Sequence, residues 1–292
     1  MNMIQYALPD FTVNLRNNLK LLELKRNNPE LFFDDIEFIG MYGCFPGCIM
    51  NGGRLLGGND KRYTYEEIVS TFDQINNEGL TIKLTLTNMF IRPEQYEDEY
   101  CSMILDAAKG RDAEVIVYQD ELGDYIARKY HFKRILSTTR LLNGVEELNE
   151  MLERYDIVVL DYNHNKDDAF LGKVKDPARL EVMPNELCEP GCPNRQLHYK
   201  MISNGQLNDE GMNFRCPQKT ETKGFTLRTE TSPTILSNDD IRRLNKNYGI
   251  QRFKIVGRVN DLFQITESYL YYFIRPEYRA VLKKVMEKKP QF

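Results

Sequence analysis

Short apolar runs alternate with amphipathic stretches from one end of the chain to the other. The runs Ile4 to Leu8, Ile36 to Met41, Ile82 to Thr87, Glu114 to Tyr118, Lys133 to Ser137, Ile157 to Leu160, Arg179 to Met183 and Phe253 to Val256 have the length and composition of buried strands. The stretches between them repeat at helical spacing. Leu15, Leu19 and Leu22 share one face, as do Ile68, Phe72 and Ile75, and then Val145, Leu148 and Leu152. Thr64 and Glu67 have the spacing of a capping box, and Gly79 sits where that helix should end. Further helices are predicted over Gln95 to Lys109, Leu122 to Tyr130, Asp167 to Val174, Asp261 to Phe273 and Glu277 to Lys288. Ser237 is the expected cap of one more, which carries Ile241 and Leu244 and stops at Gly249.

Eight strands, nearly all separated by helices, predict an α/β fold of the (β/α)8 TIM-barrel type, with a doubly wound open sheet as the rival arrangement. No repeat, low-complexity tract or linker divides residues 1–292, so a single domain is expected. The alternation fails once, over residues 204–233. That stretch is polar, rich in Gly, Asn and Thr, and too long for an ordinary connection, so it reads as an inserted functional or mobile loop after strand seven.

Composition narrows the function classes. Hydrophobic residues make up 41% and charged residues 28% of the chain, as in soluble globular proteins. No apolar run approaches the roughly 20 residues of a membrane span. Met1 to Asp10 lacks the basic and long apolar regions of a signal peptide, so a cytoplasmic location is expected. A net charge of −4, with only local basic clusters such as Lys283, Lys284, Lys288 and Lys289, gives nucleic-acid binding no support.

Five of the six cysteines form a pattern. Cys44 and Cys48 make one C-x3-C pair, Cys188 and Cys192 a second, and Cys216 follows in the long loop. In a barrel these positions fall past strands two and seven, on the face that carries the chemistry. Soft thiolates gathered there point to a 4Fe–4S cluster or to zinc, with Cys188, Cys192, Cys216 and one member of the first pair as ligands. Cys101, in a helical stretch beside Met103 and Ile104, reads as an unrelated packed thiol. His198, six residues after Cys192, is a candidate zinc ligand or base, or a structural histidine. His131 and His164 read as structural.

The polar residues at strand ends, Asn88, Asp120, Asn163, Asn185, Glu186 and Arg258, are candidate substrate-facing groups. Lys254 joins them if its face of strand eight points inward. Arg54 is a candidate anion holder or an ordinary surface arginine. The chain has no H-E-x-x-H or G-x-S-x-G motif to mark a hydrolase.

Ile235 to Arg258 reads ILSNDDIRRLNKNYGIQRFKIVGR and resembles the L-S-x-x-D-L … G-V-x-x-x-K-I-E-G-R segment of the collagenase-like peptidase family, type U-32. Leu84 to Asn88, Ala127 to Thr139 and Glu181 to Cys192 resemble other strand ends of that family, so the resemblance runs from about Ile4 to Tyr269. It implies an α/β barrel. For several members it implies an oxygen-independent hydroxylase that holds a 4Fe–4S cluster with four cysteines and acts on ubiquinone precursors or on RNA bases. Ile39 to Cys44 matches the context of the early cysteine ligand, which favours Cys44 over Cys48. Paired members imply a homo- or heterodimer. The family carboxylate in K-I-E-G-R is Val256 here, the cysteine spacing after strand seven is shorter, and the extra C-terminal regions of the peptidase and RNA types are absent from this sequence. The expected function is therefore an iron–sulfur redox enzyme acting on an aromatic small molecule or nucleobase. The alternatives are a peptidase and a binding barrel in which the metal only ties down the loop.

Overall fold

In a computed structural model, which describes residues 3–52, 61–208, 229–257 and 262–287, eight parallel strands close into a barrel in chain order. They are β1 (Ile4–Pro9), β2 (Ile36–Gly43), β3 (Thr81–Leu86), β4 (Ala113–Val117), β5 (Lys133–Leu136), β6 (Ile157–Val159), β7 (Leu180–Val182) and β8 (Arg252–Lys254). Closure comes from β1 against β8, where Gln5, Tyr6 and Ala7 pair with Arg252, Phe253 and Lys254. The helices are α1 (Leu15–Asn27), α2 (Tyr65–Asn77), α3 (Glu99–Ala108), α4 (Asp120–Tyr130), α5 (Val145–Arg154), α6 (Asp168–Leu171), α7 (Arg195–Asn208), α8 (Asn238–Tyr248), α9 (Leu262–Phe273) and α10 (Pro276–Glu287). The closed barrel excludes the open-sheet rival.

Local chemistry explains most boundaries. The Thr64–Glu67 capping box starts α2, and a Ser237–Asp240 box starts α8, which Gly249 ends in the left-handed conformation. Three expectations shift. The predicted helix from Gln95 starts only at Glu99, because Pro93 opens a separate 3-10 turn and the Asp98 carboxylate caps α3 by accepting from Cys101 N–H. Strand β8 ends at Lys254 because the Asn185 side chain, not a neighbouring strand, takes the backbone N–H and C=O of Val256. The insertion at 204–233 begins as helix, since α7 continues to Asn208. Residues 209–228 of it lie outside the described residues.

The strands separate two kinds of interior. Outward side chains pack against the helices in a large apolar layer that includes an aromatic group of Phe11, Phe45 and Phe72, with ring centroids 5.4 to 6.0 Å apart. Burying each such ring is worth about 1.5–3 kcal/mol. Inward, a small cluster of Ala7, Tyr42, Ile116, Ile135, Ile157, Val159, Tyr162 and Met183 fills part of the barrel. The rest is charged. Lys83 on β3 reaches Glu181 on β7 at 2.7 Å, and these strands are not neighbours, so the contact crosses the barrel interior. Glu114 on β4 lies 3.6 Å from Lys83 and 3.8 Å from Arg252. Gly40 makes room for this network: a Cβ there would lie 3.2 Å from Lys83 Cε and 2.7 Å from Thr81 O.

Candidate functional site at the barrel mouth

The carboxyl ends of the strands are crossed by α7. Near its start Arg195 is buried, with its guanidinium donating to Asp161 past β6 (2.6 Å), to the Thr138 hydroxyl past β5 (3.0 Å) and to the Tyr199 hydroxyl (3.1 Å). It also lies 4.2 Å over the Tyr162 ring. Eight residues on, Ser203 docks on the opposite rim. Its backbone oxygen accepts from Asn88 Nδ2 (2.9 Å), and its hydroxyl accepts from Met89 N–H and donates to Gly52 O (3.2 Å each). At 1.5 Å per residue the helix covers about 12 Å between these anchors, from the β5–β6 rim to the β2–β3 rim.

Beneath the start of α7 lie Tyr162, Glu186 and Cys188, near Tyr199 of the helix itself, with Val256 and Met183 on the apolar side. Burial raises the pKa of Tyr162, and the neighbouring Cys188 thiol raises it further against the pull of Arg195. Tyr199 is raised for the same first reason, with Arg195 opposing and Glu186 adding to the rise. Both are neutral phenols at physiological pH. Lys254 is on the inward face of β8, 4.2 Å over the Tyr42 ring, whose hydroxyl donates to Ile255 O (2.7 Å). Lys254 and Lys83 both lower the pKa of Glu181 against the large opposing effect of its burial.

The polar residues singled out in the sequence prove to be mostly backbone holders. Glu186 accepts from Cys188 N–H (2.9 Å), and Asn163 accepts from Gly191 N–H (2.9 Å), so the two pin the cysteine loop after β7. Asn185 clamps the end of β8 and also donates to Ser268 Oγ (3.1 Å). Asn88 donates to carbonyls of Ile49, Asn51 and Ser203. Asp120 lies at the start of α4 and faces Tyr155, Arg140 and Arg154. Burial opposes its ionisation, but those hydrogen bonds and charges hold it below the usual carboxylate range. His164 pairs with Asp167 and stacks on Phe170, His131 ends α4, and His198 lies on α7 beside Tyr199. Arg258, Arg54 and Cys216 lie outside the described residues.

The predicted thiol set divides between the two layers. Cys188 and Cys192 stand at the mouth, half-buried, just before α7. Cys44 and Cys48 are buried in the outer apolar layer with Phe45 and Phe72. Cys101 belongs with them, which corrects its reading as unrelated: its Sγ lies 3.4 Å from that of Cys48. Among the described residues no group of three or more His, Cys, Asp or Glu side chains could hold a metal ion. Among the described residues Cys44 is therefore not gathered with Cys188 and Cys192 into a metal-binding group. A centre at the mouth would draw on Cys188, Cys192 and the undescribed Cys216.

Two features escaped the sequence reading. Arg195 carried a weak signal, an arginine opening a helix directly behind a cysteine loop. Asn14, at the carboxyl end of β1, buries both polar side-chain atoms without a hydrogen-bond partner, and nothing in its sequence context marks it.

No protein-family model and no curated protein matches the chain. Among solved structures it is similar to the U32 peptidase Mk0906, at 13% identity and a TM-score of 0.53 over 88% of this chain and 93% of that one. D-psicose 3-epimerase aligns at 10% identity and a TM-score of 0.40, covering 90% of each chain. The Bacillus cereus spore cortex-lytic enzyme SleL aligns at 10% and 0.39, covering 91% of this chain and 74% of that one. The first likeness supports the resemblance to the U32 type at the level of fold, and the other two carry no argument. No helix among the described residues is long and apolar enough to cross a membrane.

Proposed function

We propose that the protein is a barrel enzyme of the U32 type whose reaction centre is the α7-covered mouth, with an aromatic small molecule or nucleobase as substrate. The thiols of Cys188, Cys192 and Cys216 are the ligands for an iron–sulfur centre there, with zinc as the other soft-ligand outcome. A 4Fe–4S cluster supplies electron transfer when bound. The chain's own residues furnish the mouth: Tyr162, Tyr42 and Met183 give aromatic and apolar side chains, Tyr199 gives a phenol beside Arg195, and the unsatisfied Asn14 amide past β1 is the polar group we assign to a substrate atom. The observation that carries the reading is the arrival of Cys188 and Cys192 together on the catalytic face, in a loop pinned by Glu186 and Asn163.

A second reading is a non-catalytic binding barrel. It is favoured by the way Asn163, Asn185 and Glu186 commit polar atoms to holding the backbone. Anaerobic purification with iron and sulfide analysis tests the first. Brown protein with about four irons per chain is expected, lost in Cys188→Ala, Cys192→Ala and Cys216→Ala and kept in Cys44→Ala. Colourless protein with stoichiometric zinc, or equal iron loss in Cys44→Ala, overturns it. Iron that resists reduction by dithionite moves the balance to the binding barrel.

A further inference from the structure

The outer thiols form a site of their own. Cys48 sits in the turn after β2, which is closed by Cys48 N–H to Phe45 O (3.2 Å) and Asn51 N–H to Cys48 O (3.1 Å). Cys101 sits in the first turn of α3, with its N–H held by the Asp98 cap. Both side chains are 1% exposed, and their sulfurs are 3.4 Å apart. A disulfide bond is about 2.05 Å long, so closure needs an approach of about 1.4 Å shared between a turn residue and a helix residue. Cys44 is the third thiol of the group, in contact with Cys48.

The turn also supports α7. Ile49 and Asn51 offer carbonyls to the Asn88 side chain, Met50 O accepts from Asn88 N–H, and Gly52 O accepts from Ser203. The state of Cys48 is thus tied to the rim on which one end of the covering helix rests.

We propose that Cys48 and Cys101 form a reversible disulfide, made by exchange with a low-molecular-weight disulfide, that staples the turn after β2 to α3. The Cys48 thiolate attacks the reagent's S–S bond and expels one thiolate, leaving a mixed disulfide. The Cys101 thiolate then attacks the Cys48 sulfur and expels the second. One S–S bond breaks and one forms. The reagent takes up two electrons, and the two protons from the protein thiols end on its two thiols. Cys48 attacks first because it lies in a turn, whereas Cys101 is fixed within a helix. Burial and the contact with Cys44 keep Cys48 protonated, against the favourable hydrogen bond from Cys101. Cys101 is likewise held as a thiol, by its contact with Cys48 and by burial. Exchange therefore proceeds through opening of the turn.

The test uses the full-length chain, reduced and then incubated with oxidised glutathione, acid-quenched, alkylated and mapped by peptide mass spectrometry. The expected result is a Cys48–Cys101 linked peptide, two fewer titratable thiols per chain and a higher denaturation midpoint that dithiothreitol reverses. Cys48→Ala and Cys101→Ala each remove the linked peptide. A Cys188→Ala/Cys192→Ala variant, which lacks the described mouth thiols, keeps it. A Cys48–Cys44 link, or a Cys48–Cys101 pair still reduced after Cys188 and Cys192 have oxidised, overturns the proposal. Peptide mapping is independent of the iron analysis, so this site stands or falls separately from the reaction centre.

Discussion

On their outward faces β2, β3 and β4 meet Phe72, Ile104 and the buried thiols in an apolar cluster, whereas inward β3 and β4 carry Lys83 and Glu114 toward Glu181. The outer layer is held by shape, because dispersion and burial fall away when atoms are removed. The inner layer is held by balance, because each buried charge depends on its partner. In the outer layer the Cys101 thiol is held protonated by its contact with Cys48 and by burial, and Cys48, against the pull of Cys101, by its contact with Cys44 and by burial. A thiol at the mouth sits instead among phenols, a carboxylate and a guanidinium. One sheet therefore presents cysteine to two different chemistries.

Removing one inner charge should break this contrast most sharply. Lys83→Ala leaves Glu181 and Glu114 without their central cation and should cost about 3–5 kcal/mol in urea unfolding at neutral pH. In the wild type the lowered Glu181 pKa adds stability above the unfolded carboxylate value, and that stability is lost as pH falls through the folded value. The variant loses the pull of Lys83 on Glu181 while the burial that opposes ionisation stays, so the deficit should shrink on acidification. Phe72→Ala should cost about 3–4 kcal/mol through an outer cavity, with the same deficit at pH 5 and pH 8. A Phe72→Ala deficit that varied with pH would erase the distinction between the layers.

Smaller effects sharpen it. Arg195→Ala removes a buried, fully engaged guanidinium and should cost about 1–3 kcal/mol, with faster hydrogen exchange in the first turns of α7 than in α2. Asn14→Leu replaces an unsatisfied buried amide and should stabilise the free protein by about 1 kcal/mol, read as a higher urea midpoint. If it destabilises, the Asn14 amide is not the uncompensated buried group described above.

Features that depend on neighbours in the chain were legible in the sequence. The capping box at Thr64, the cap at Ser237, the stop at Gly249 and the strand runs all act within a few residues. Facing was harder. Cys44 does follow the carboxyl end of β2, as expected, but past the strand alternation no longer sets direction, and its side chain packs in the outer layer. Cys101 and Cys48 meet only because α3 packs beside the β2 turn, 53 residues away. Lys83 and Glu181 stand 98 residues apart and pair across a closed barrel. A lysine in a strand gives no local sign of such a partner. The glutamate of the family segment is Val256 here, and Val256 packs against the inner cluster, so that position of the mouth is apolar in this chain.

The step in pairing between β1 and β2 has a genetic consequence. Tyr6 pairs with Phe38 and Ala7 with Gly40, which leaves Ile39 without a partner on β1. Phe38 packs outward on Phe273 and Met41 lies in the outer layer, whereas Gly40 borders Lys83 and Tyr42 is inside. Loss of the Ile39 codon leaves those four residues on their present sides in a regular strand. Loss of the Met41 codon also regularises the strand, but it turns Gly40 outward and sends Ile39 into the space that glycine leaves for Lys83. A codon-deletion scan of β2 should therefore find one tolerant position next to intolerant ones. Length itself, and not only residue identity, is under constraint at this point of the barrel.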